Sequence, residues 1–328
     1  MFNLDVKKII IMPIINSQFS PNFWFKNPHF NTIFSNRIKR QKTPKYLRKR
    51  YQTVDNDFFD VDTILSESDT AVIILHGLEG SSKSGYILEI ADYFSKTWDV
   101  WAMNHKSCSG ELNLRKTSYH SGRTEELEFL LNEIHDHYRK IYLIGFSLGG
   151  NITLKYLGEN AEDLHPKIKA AVAVSVPVHL NSSARTLQQK KNWFYLNDFL
   201  VSLKKKAIEK IRREDPDSAK ILLIEKATSF VEFDNLYTAP VHGFSDAEDY
   251  WTKCSSKQFL PDISIPTLIL NAEDDPFLSH ECYPYVEAMG NDQLYLEVPK
   301  YGGHVGFLES SGRDRWYLRR LMTFLKNY

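Results

Sequence analysis

The chain has 328 residues, of which 42% are hydrophobic and 25% are charged, so a mainly disordered or fibre-forming protein is excluded. Its 41 basic and 41 acidic side chains balance to a formal net charge of zero, which argues against nucleic-acid binding through a basic face. Three cysteines without a Cys-x-x-Cys pair cannot form a disulfide framework. We therefore expect a reducing compartment and, by default, a cytoplasmic location.

Residues 1–50 are predicted to form an N-terminal extension of the main fold. The apolar run from Ile9 to Ile15 is short, contains Pro13 and has no convincing cleavage site after it, so a signal peptide is not expected. No stretch reaches the ~18 apolar residues that are needed to span a bilayer. We expect no transmembrane segment, and peripheral contact with a membrane stays open.

Residues 51–177 alternate short apolar runs with segments of helical periodicity and are predicted to form the first part of an α/β core. Short β-branched runs such as Ala71–Leu75 predict buried strands. Buried strands that alternate with helices favour a mostly parallel sheet with helices on both faces. The predicted strands are 71–75, 99–103, 141–144 and 170–174, and the predicted helices are 86–95, 125–138 and 149–157.

Residues 178–260 break this rhythm, because they contain no clean central strand and are rich in aromatic side chains. We interpret them as a helical cap, inserted into the core, whose aromatic side chains line an acyl pocket. The basic run Lys204–Arg213 predicts a solvated helix face, with a patch for a membrane or an acidic partner as the alternative. The core resumes over 261–328, with strands predicted at 267–270 and 294–298 and a last helix at 313–326.

Ser147 lies in the sequence Gly145-Phe-Ser-Leu-Gly149, between a predicted strand and a predicted helix. In that context Gly-x-Ser-x-Gly is the nucleophile-elbow pattern of α/β-hydrolases. The tight turn exposes the serine hydroxyl above the carboxyl end of the sheet and points the helix N-terminus at the reacting centre. We therefore predict that Ser147 is a nucleophile.

A serine hydroxyl needs an adjacent base, and that base needs a carboxylate that orients it. In this fold the acid follows the serine along the chain, and the histidine follows the acid. His304 stands beside paired glycines after the last predicted strand and is the predicted base. Asp274 and Asp275 both follow the preceding strand, with Glu273 nearby. We favour Asp275, because Pro276 fixes the turn behind it.

Two backbone N–H groups are expected to stabilise the oxyanion. We assign one to Leu148, which follows the nucleophile, and the other to Leu78, in the loop after the first predicted strand. His76 of that loop is predicted to shape the loop rather than to act as a base. The histidines lack the spacing of a metal site, and no phosphate-binding loop follows the first strand, so neither a metal nor a cofactor is expected.

Several further motifs are spread along the chain from about Phe23 to the C-terminus. Together with the elbow Gly145–Asn151 they are Asn27–Ile33, Tyr119–Gly122, the long stretch Phe233–Tyr250, Pro266–Phe277 and Tyr301–His304. In these motifs the sequence resembles the YheT-like branch of the α/β-hydrolases, a group of bacterial hydrolases and eukaryotic lipases.

This resemblance implies a serine carboxylesterase or lipase that acts on short- or medium-chain acyl esters or on monoacylglycerols. By position, Ser147, Asp275 and His304 fall where the charge-relay residues of the family lie. An alcohol acyltransferase, in which an alcohol replaces water, and a non-catalytic binding protein of the same fold are the alternatives. The complete set of serine, acid and histidine argues against the binding protein.

Overall fold

The computed structural model describes residues 13–37, 44–309 and 315–328. Within these ranges nine strands form one sheet. The strands are β1 Ile14–Ile15, β2 Leu47–Gln52, β3 Phe58–Ile64, β4 Thr70–Leu75, β5 Asp99–Asn104, β6 Lys140–Phe146, β7 Ile168–Val174, β8 Thr267–Leu270 and β9 Leu294–Glu297.

The sheet has the strand order β1-β9-β8-β7-β6-β4-β5-β3-β2. In the part of the sheet with the order β1-β9-β8-β7-β6-β4-β5, every two neighbouring strands run parallel. β3 is antiparallel to both β5 and β2. The predicted mostly parallel sheet is therefore confirmed.

The α-helices of the described ranges follow the chain around this sheet. They are α1 Pro28–Arg37, α2 Gly85–Phe94, α3 Glu125–Ile134, α4 Leu148–Glu159, α5 Leu180–Leu187, α6 Trp193–Glu214, α7 Ala219–Lys226, α8 Phe230–Phe233, α9 Ala239–His242, α10 Ala247–Cys254, α11 Tyr285–Gly290 and α12 Trp316–Lys326. None of them combines the length and the apolar character that a membrane crossing requires.

Helices cover both faces of the central strands, which is why these strands are apolar throughout. Every residue of β4 is buried. Because successive strand residues point to opposite faces, Ile73 packs into the core that contains Leu127 and Ile152, whereas Ile74 packs into the core that contains Ile87 and Leu321.

Three strands extend the sequence-based prediction. β1 and β2, which lie partly or wholly within residues 1–50, are hydrogen-bonded into the sheet, and β3 joins β2 to the parallel strands. β3 escaped prediction because it carries the charged residues Asp60 and Asp62, which are buried beside Arg50 and Arg48 of β2. The predicted start of the last helix, Arg313, lies outside the described residues.

Helices α5 to α10 lie between β7 and β8 and pack around a hydrophobic core of their own. Its largest buried side chains include Phe230, Phe233 and Trp251. A π-helical turn, Asp234–Thr238, joins α8 to α9.

The basic run Lys204–Arg213 lies on α6, and two of its lysines turn inward. Lys206 Nζ lies 2.9 Å from a carboxylate oxygen of Glu79. Lys210 Nζ donates to the carbonyl oxygens of Arg115 and Thr117, at 2.8 and 3.1 Å. The predicted solvated face is therefore wrong for these two residues, because they fasten α6 to loops of the sheet.

Candidate active site

Ser147 lies in a strained turn between β6 and α4. Its φ of 51° and ψ of −119° fall where side-chain-bearing residues are rare. A Cβ atom on Gly145 would lie 2.4 Å from the carbonyl oxygen of Gly149, and one on Gly149 would lie 2.5 Å from the carbonyl oxygen of His76. The turn thus requires glycine on both sides of the serine, which gives the Gly-x-Ser-x-Gly spacing a steric cause.

The structure brings the side chains of Ser147, His304 and Asp275 together. Ser147 Oγ lies 3.0 Å from His304 Nε2. His304 Nδ1 lies 3.1 and 2.9 Å from the two carboxylate oxygens of Asp275. Both Asp275 and His304 are buried. A hydroxyl, an imidazole and a carboxylate in this series can activate the serine oxygen as a nucleophile.

Two contacts hold the imidazole in place. The ring of Phe277 stacks on that of His304, with centroids 4.0 Å apart. The backbone N–H of His304 donates to Thr32 Oγ1 of α1 at 2.9 Å, and the Thr32 hydroxyl donates to the carbonyl oxygen of Pro28 at 2.7 Å. Sequence reasoning assigned Thr32 no role, although the motif Asn27–Ile33 singled out its position.

Asp274 contacts the histidine loop through the backbone. Its Oδ1 accepts a hydrogen bond from the N–H of Gly303 at 2.8 Å. Burial raises the pKa of Asp274 to about 6, and the neighbouring carboxylate of Asp275 adds to this shift. Glu273 is exposed. Of the three carboxylates in this loop, that of Asp275 contacts the imidazole ring.

Removing the Asp274 charge is expected to stabilise the protein most at high pH. The pKa of Asp274 is about 6 in the folded protein, against an ordinary value of 3.8. Between these two pH values the Asp274 carboxyl is therefore mainly protonated in the folded state and mainly ionised in the unfolded state. Stability therefore falls as pH rises through this window and stays lower above it. Asp274→Asn removes the loss and keeps an oxygen for Gly303. Urea unfolding of both proteins at about pH 4.5 and about pH 8 measures the difference, and equal effects of the substitution at both pH values would contradict it.

The two predicted oxyanion donors, Leu78 and Leu148, line the same cavity as Ser147. Leu148 is the first residue of α4, and the first N–H groups of a helix have no acceptor within it. The loop of Leu78 runs against the nucleophile, since a Cβ atom on Gly77 would lie 3.0 Å from the Cβ of Ser147. Both backbone segments therefore reach the reacting centre.

His76 fixes the shape of the Leu78 loop. Its Nδ1 donates to the carbonyl oxygen of Gly77 at 2.7 Å, and its Nε2 accepts the backbone N–H of His105 at 3.2 Å. The ring is fully buried, and this burial lowers the pKa of His76 well below its usual range. One ring nitrogen is bonded within the loop and the other to the residue after β5, in agreement with the predicted shaping role.

Glu79 links the same loop to α6. Its backbone N–H donates to the hydroxyl of Tyr119 at 2.9 Å, and that hydroxyl donates to Glu79 Oε1 at 2.7 Å. Ser202 and Lys206 of α6 bind the carboxylate from the other side. Sequence reasoning missed Glu79. Its position directly after Leu78, the expected oxyanion donor, was the signal that could have identified it.

An apolar cavity lies beside Ser147 and His304. It encloses about 830 Å³ of empty space, including solvent at its mouth. Aromatic residues from 178–260 form much of its wall, as predicted, whereas Trp193 and Phe194 of the same segment are exposed. The aromatic lining side chains are Tyr119, Phe199, Phe230, Phe233, Tyr250, Trp251 and Phe277.

One carboxyl group stands in this wall. Asp234 accepts hydrogen bonds from the Thr238 hydroxyl at 2.6 Å and from Trp251 Nε1 at 2.9 Å. Burial raises the pKa of Asp234 to about 7. The residue thereby ties the π-helical turn to α10, and the irregular helix shapes the side of the cavity.

Known proteins resemble the chain along most of its length. Residues 70–311 match a family described by the alpha/beta hydrolase fold. The chain is 31% identical to the protein YheT of Escherichia coli, over 95% of this chain and 94% of that protein. It is 29% identical to a monoacylglycerol lipase of Saccharomyces cerevisiae, over 91% of this chain and 66% of the lipase. An esterase structure from Pyrococcus furiosus has a TM-score of 0.58 at 18% identity, covers 89% of this chain and 96% of its own, and shares the fold.

Proposed function

Because the chain belongs to the YheT-like branch of the α/β-hydrolase fold family, we propose that it is a serine hydrolase that cleaves carboxylic esters. The observation that carries this proposal is the series of contacts from Ser147 through His304 to Asp275 beside an apolar cavity. The monoacylglycerol lipase among its relatives supports the same class of reaction.

In the first half-reaction His304 Nε2 takes the proton of Ser147 as Oγ attacks the ester carbonyl. The backbone N–H groups of Leu78 and Leu148 stabilise the negative charge that develops on the carbonyl oxygen. The tetrahedral intermediate then collapses, and the alcohol leaves with the proton that His304 returns. The product of this half-reaction is an acyl ester of Ser147.

In the second half-reaction water enters and loses a proton to His304 as it attacks the acyl group. The carboxylic acid leaves, and Ser147 recovers its proton. Asp275 accepts the hydrogen bond of Nδ1 throughout, which fixes the tautomer with a free Nε2 and stabilises the imidazolium. Each group needed for both steps is thus supplied by this chain.

The cavity supports the proposal that the protein recognises its substrate mainly by an acyl chain of short or medium length. Its wall is mostly apolar and comes from both the sheet loops and the helices between β7 and β8. We propose that residues 178–260 act as a cap over a core formed by 51–177 and 261–328, with 1–50 as an extension that adds β1 and the start of β2 to the sheet of the core. The cap then binds the acyl chain and limits the access of water.

A panel of p-nitrophenyl esters from acetyl to palmitoyl, together with monoacylglycerols, tests this function. The highest kcat/KM is expected between butyryl and decanoyl, with free acid and alcohol as products. Ala184→Phe adds a ring to the cavity wall and is expected to move the optimum to shorter chains. Failure of every ester, or ethyl-ester formation outpacing hydrolysis when ethanol is present, would contradict a hydrolase.

Glu79→Gln is expected to lower kcat by ~10-fold with a smaller change in KM, because the carboxylate positions the Leu78 loop and does not touch substrate. Steady-state kinetics on p-nitrophenyl butyrate measure both constants. Glu111→Gln, at an exposed glutamate that binds Arg50, is the matched control and should leave kcat unchanged. A fall in melting temperature without a fall in kcat would limit Glu79 to a structural role.

A further inference from the structure

Six large aromatic side chains are exposed on one part of the molecule, although such side chains are usually buried. They belong to the turn before α1, to α1 itself and to the first turn of α6. Their exposed fractions are 78% for Phe23, 75% for Trp24, 42% for Phe30, 41% for Phe34, 63% for Trp193 and 56% for Phe194. We call these six residues the aromatic surface.

Ring contacts connect the parts of the aromatic surface. Phe30 and Phe34 stack with centroids 4.9 Å apart, and both contact the ring of Phe25, which adjoins Trp24 in sequence. His29 of α1 stacks on Tyr195 of α6 at 5.8 Å and bonds its hydroxyl at 3.1 Å. That contact places the start of α6, with its two exposed aromatics, against α1.

The charges within these segments have one sign. Residues 22–34 and 190–197 contain Lys26, Lys190 and Lys191 and no aspartate or glutamate, and the next acidic residue of α6 is the exposed Asp198. All three lysines are exposed. Exposed aromatic rings flanked by lysines match the interface of a bilayer that contains anionic lipids, because the rings enter the headgroup layer while the ammonium groups bind lipid phosphates.

The elements that carry the aromatic surface also contact residues of the reaction site. The inner side of α1 holds the backbone of His304 through Thr32. Tyr195 contacts Phe277 at 4.8 Å between centroids, and Phe277 stacks on the imidazole ring. A membrane that binds this surface therefore lies on the side of the molecule from which the histidine and the cavity wall are supported.

We propose that the aromatic surface docks on a lipid bilayer containing anionic lipids, so that the protein meets its ester substrate at the membrane. The ester nature of the substrate rests on the proposed function, and the membrane as the place where the protein binds that substrate is the new inference. A second copy of the chain fits less well, since a two-fold contact through this surface would bring the lysines of both copies together.

Sedimentation of the full chain with vesicles tests the proposal. We expect binding to phosphatidylcholine vesicles that contain phosphatidylglycerol, and weaker binding to phosphatidylcholine alone. The variants Phe23→Ser/Trp24→Ser and Trp193→Ser/Phe194→Ser should each weaken binding by ~10-fold or more, because each removes two interfacial rings. Leu222→Ser/Leu223→Ser on α7 is the matched control, with exposed fractions of 54% and 50%, and should bind like the wild type.

Two further readouts separate this proposal from the proposed function. The aromatic variants should hydrolyse a soluble ester like the wild type, and Ser147→Ala should bind vesicles like the wild type. The proposal would be overturned if the wild-type protein bound neither vesicle type, or if the aromatic variants bound vesicles as tightly as the control. A change of oligomeric state in those variants, with unchanged vesicle binding, would assign the surface to a second copy instead.

Discussion

Ser147→Ala is expected to lower kcat/KM for a soluble ester by ~10⁴-fold or more, the scale of loss when a nucleophilic serine is removed. The substitution deletes the oxygen that lies 3.0 Å from His304 Nε2 and leaves the rest of the site in place. Alanine keeps the Cβ atom and meets the positive φ at the same steric cost as serine. The melting temperature should therefore change little while turnover is lost.

Hydrolysis of p-nitrophenyl butyrate and thermal unfolding of the same preparation measure both effects. Ser121→Ala is the matched control, because Ser121 also lines the cavity and its hydroxyl binds that of Tyr250 at 2.8 Å rather than the imidazole. Its kcat should stay within ~10-fold of the wild type. Retained turnover in Ser147→Ala, or an equal loss in the control, would rule out Ser147 as the nucleophile.

Asp275→Asn is expected to lower kcat by ~10⁴-fold, because an amide no longer holds the imidazole in the tautomer with a free Nε2. The carboxylate contacts Nδ1 through both oxygens, at 3.1 and 2.9 Å, so the NH₂ group of asparagine would face the N–H of the ring. The loss should appear in kcat rather than in KM, since the substituted group does not touch substrate.

Asp274→Asn is the control for this experiment, being the same substitution one residue away. Asp274 bonds the backbone of Gly303 and not the ring, so its variant should keep most of the activity. If Asp274→Asn loses turnover and Asp275→Asn keeps it, the assignment of the acid is wrong. Kinetics of both variants at a pH above 7, well above the pKa of about 6 of Asp274, give the comparison.

The central strands and the elbow could be predicted because their causes are local. Fully buried parallel strands require uninterrupted apolar runs, and β4 and β8 match the runs at 71–75 and 267–270 closely. The meeting of Ser147, Asp275 and His304 follows from topology, since the carboxyl ends of parallel strands lie at one edge of the sheet. Pro276, which fixes the turn behind Asp275, was the sequence signal that favoured Asp275 over Asp274.

The remaining features depend on contacts between residues far apart in the chain. Asp60 and Asp62 could be placed in a buried strand only through the arginines of the neighbouring strand. Thr32 holds a backbone group 272 residues away, and Glu79 binds Lys206 of a distant helix. No local pattern encodes such pairings, so the supports of the site emerged only from the folded chain.

The central claim is that Ser147 is an activated nucleophile, and labelling by a fluorophosphonate tests it most directly. This reagent forms a covalent phosphonyl ester with an activated serine and is read out by intact mass. We predict one adduct on the wild type, none on Ser147→Ala, and slower labelling of Asp275→Asn. An adduct on Ser147→Ala at the wild-type rate, or no adduct on folded wild-type protein, would contradict the account.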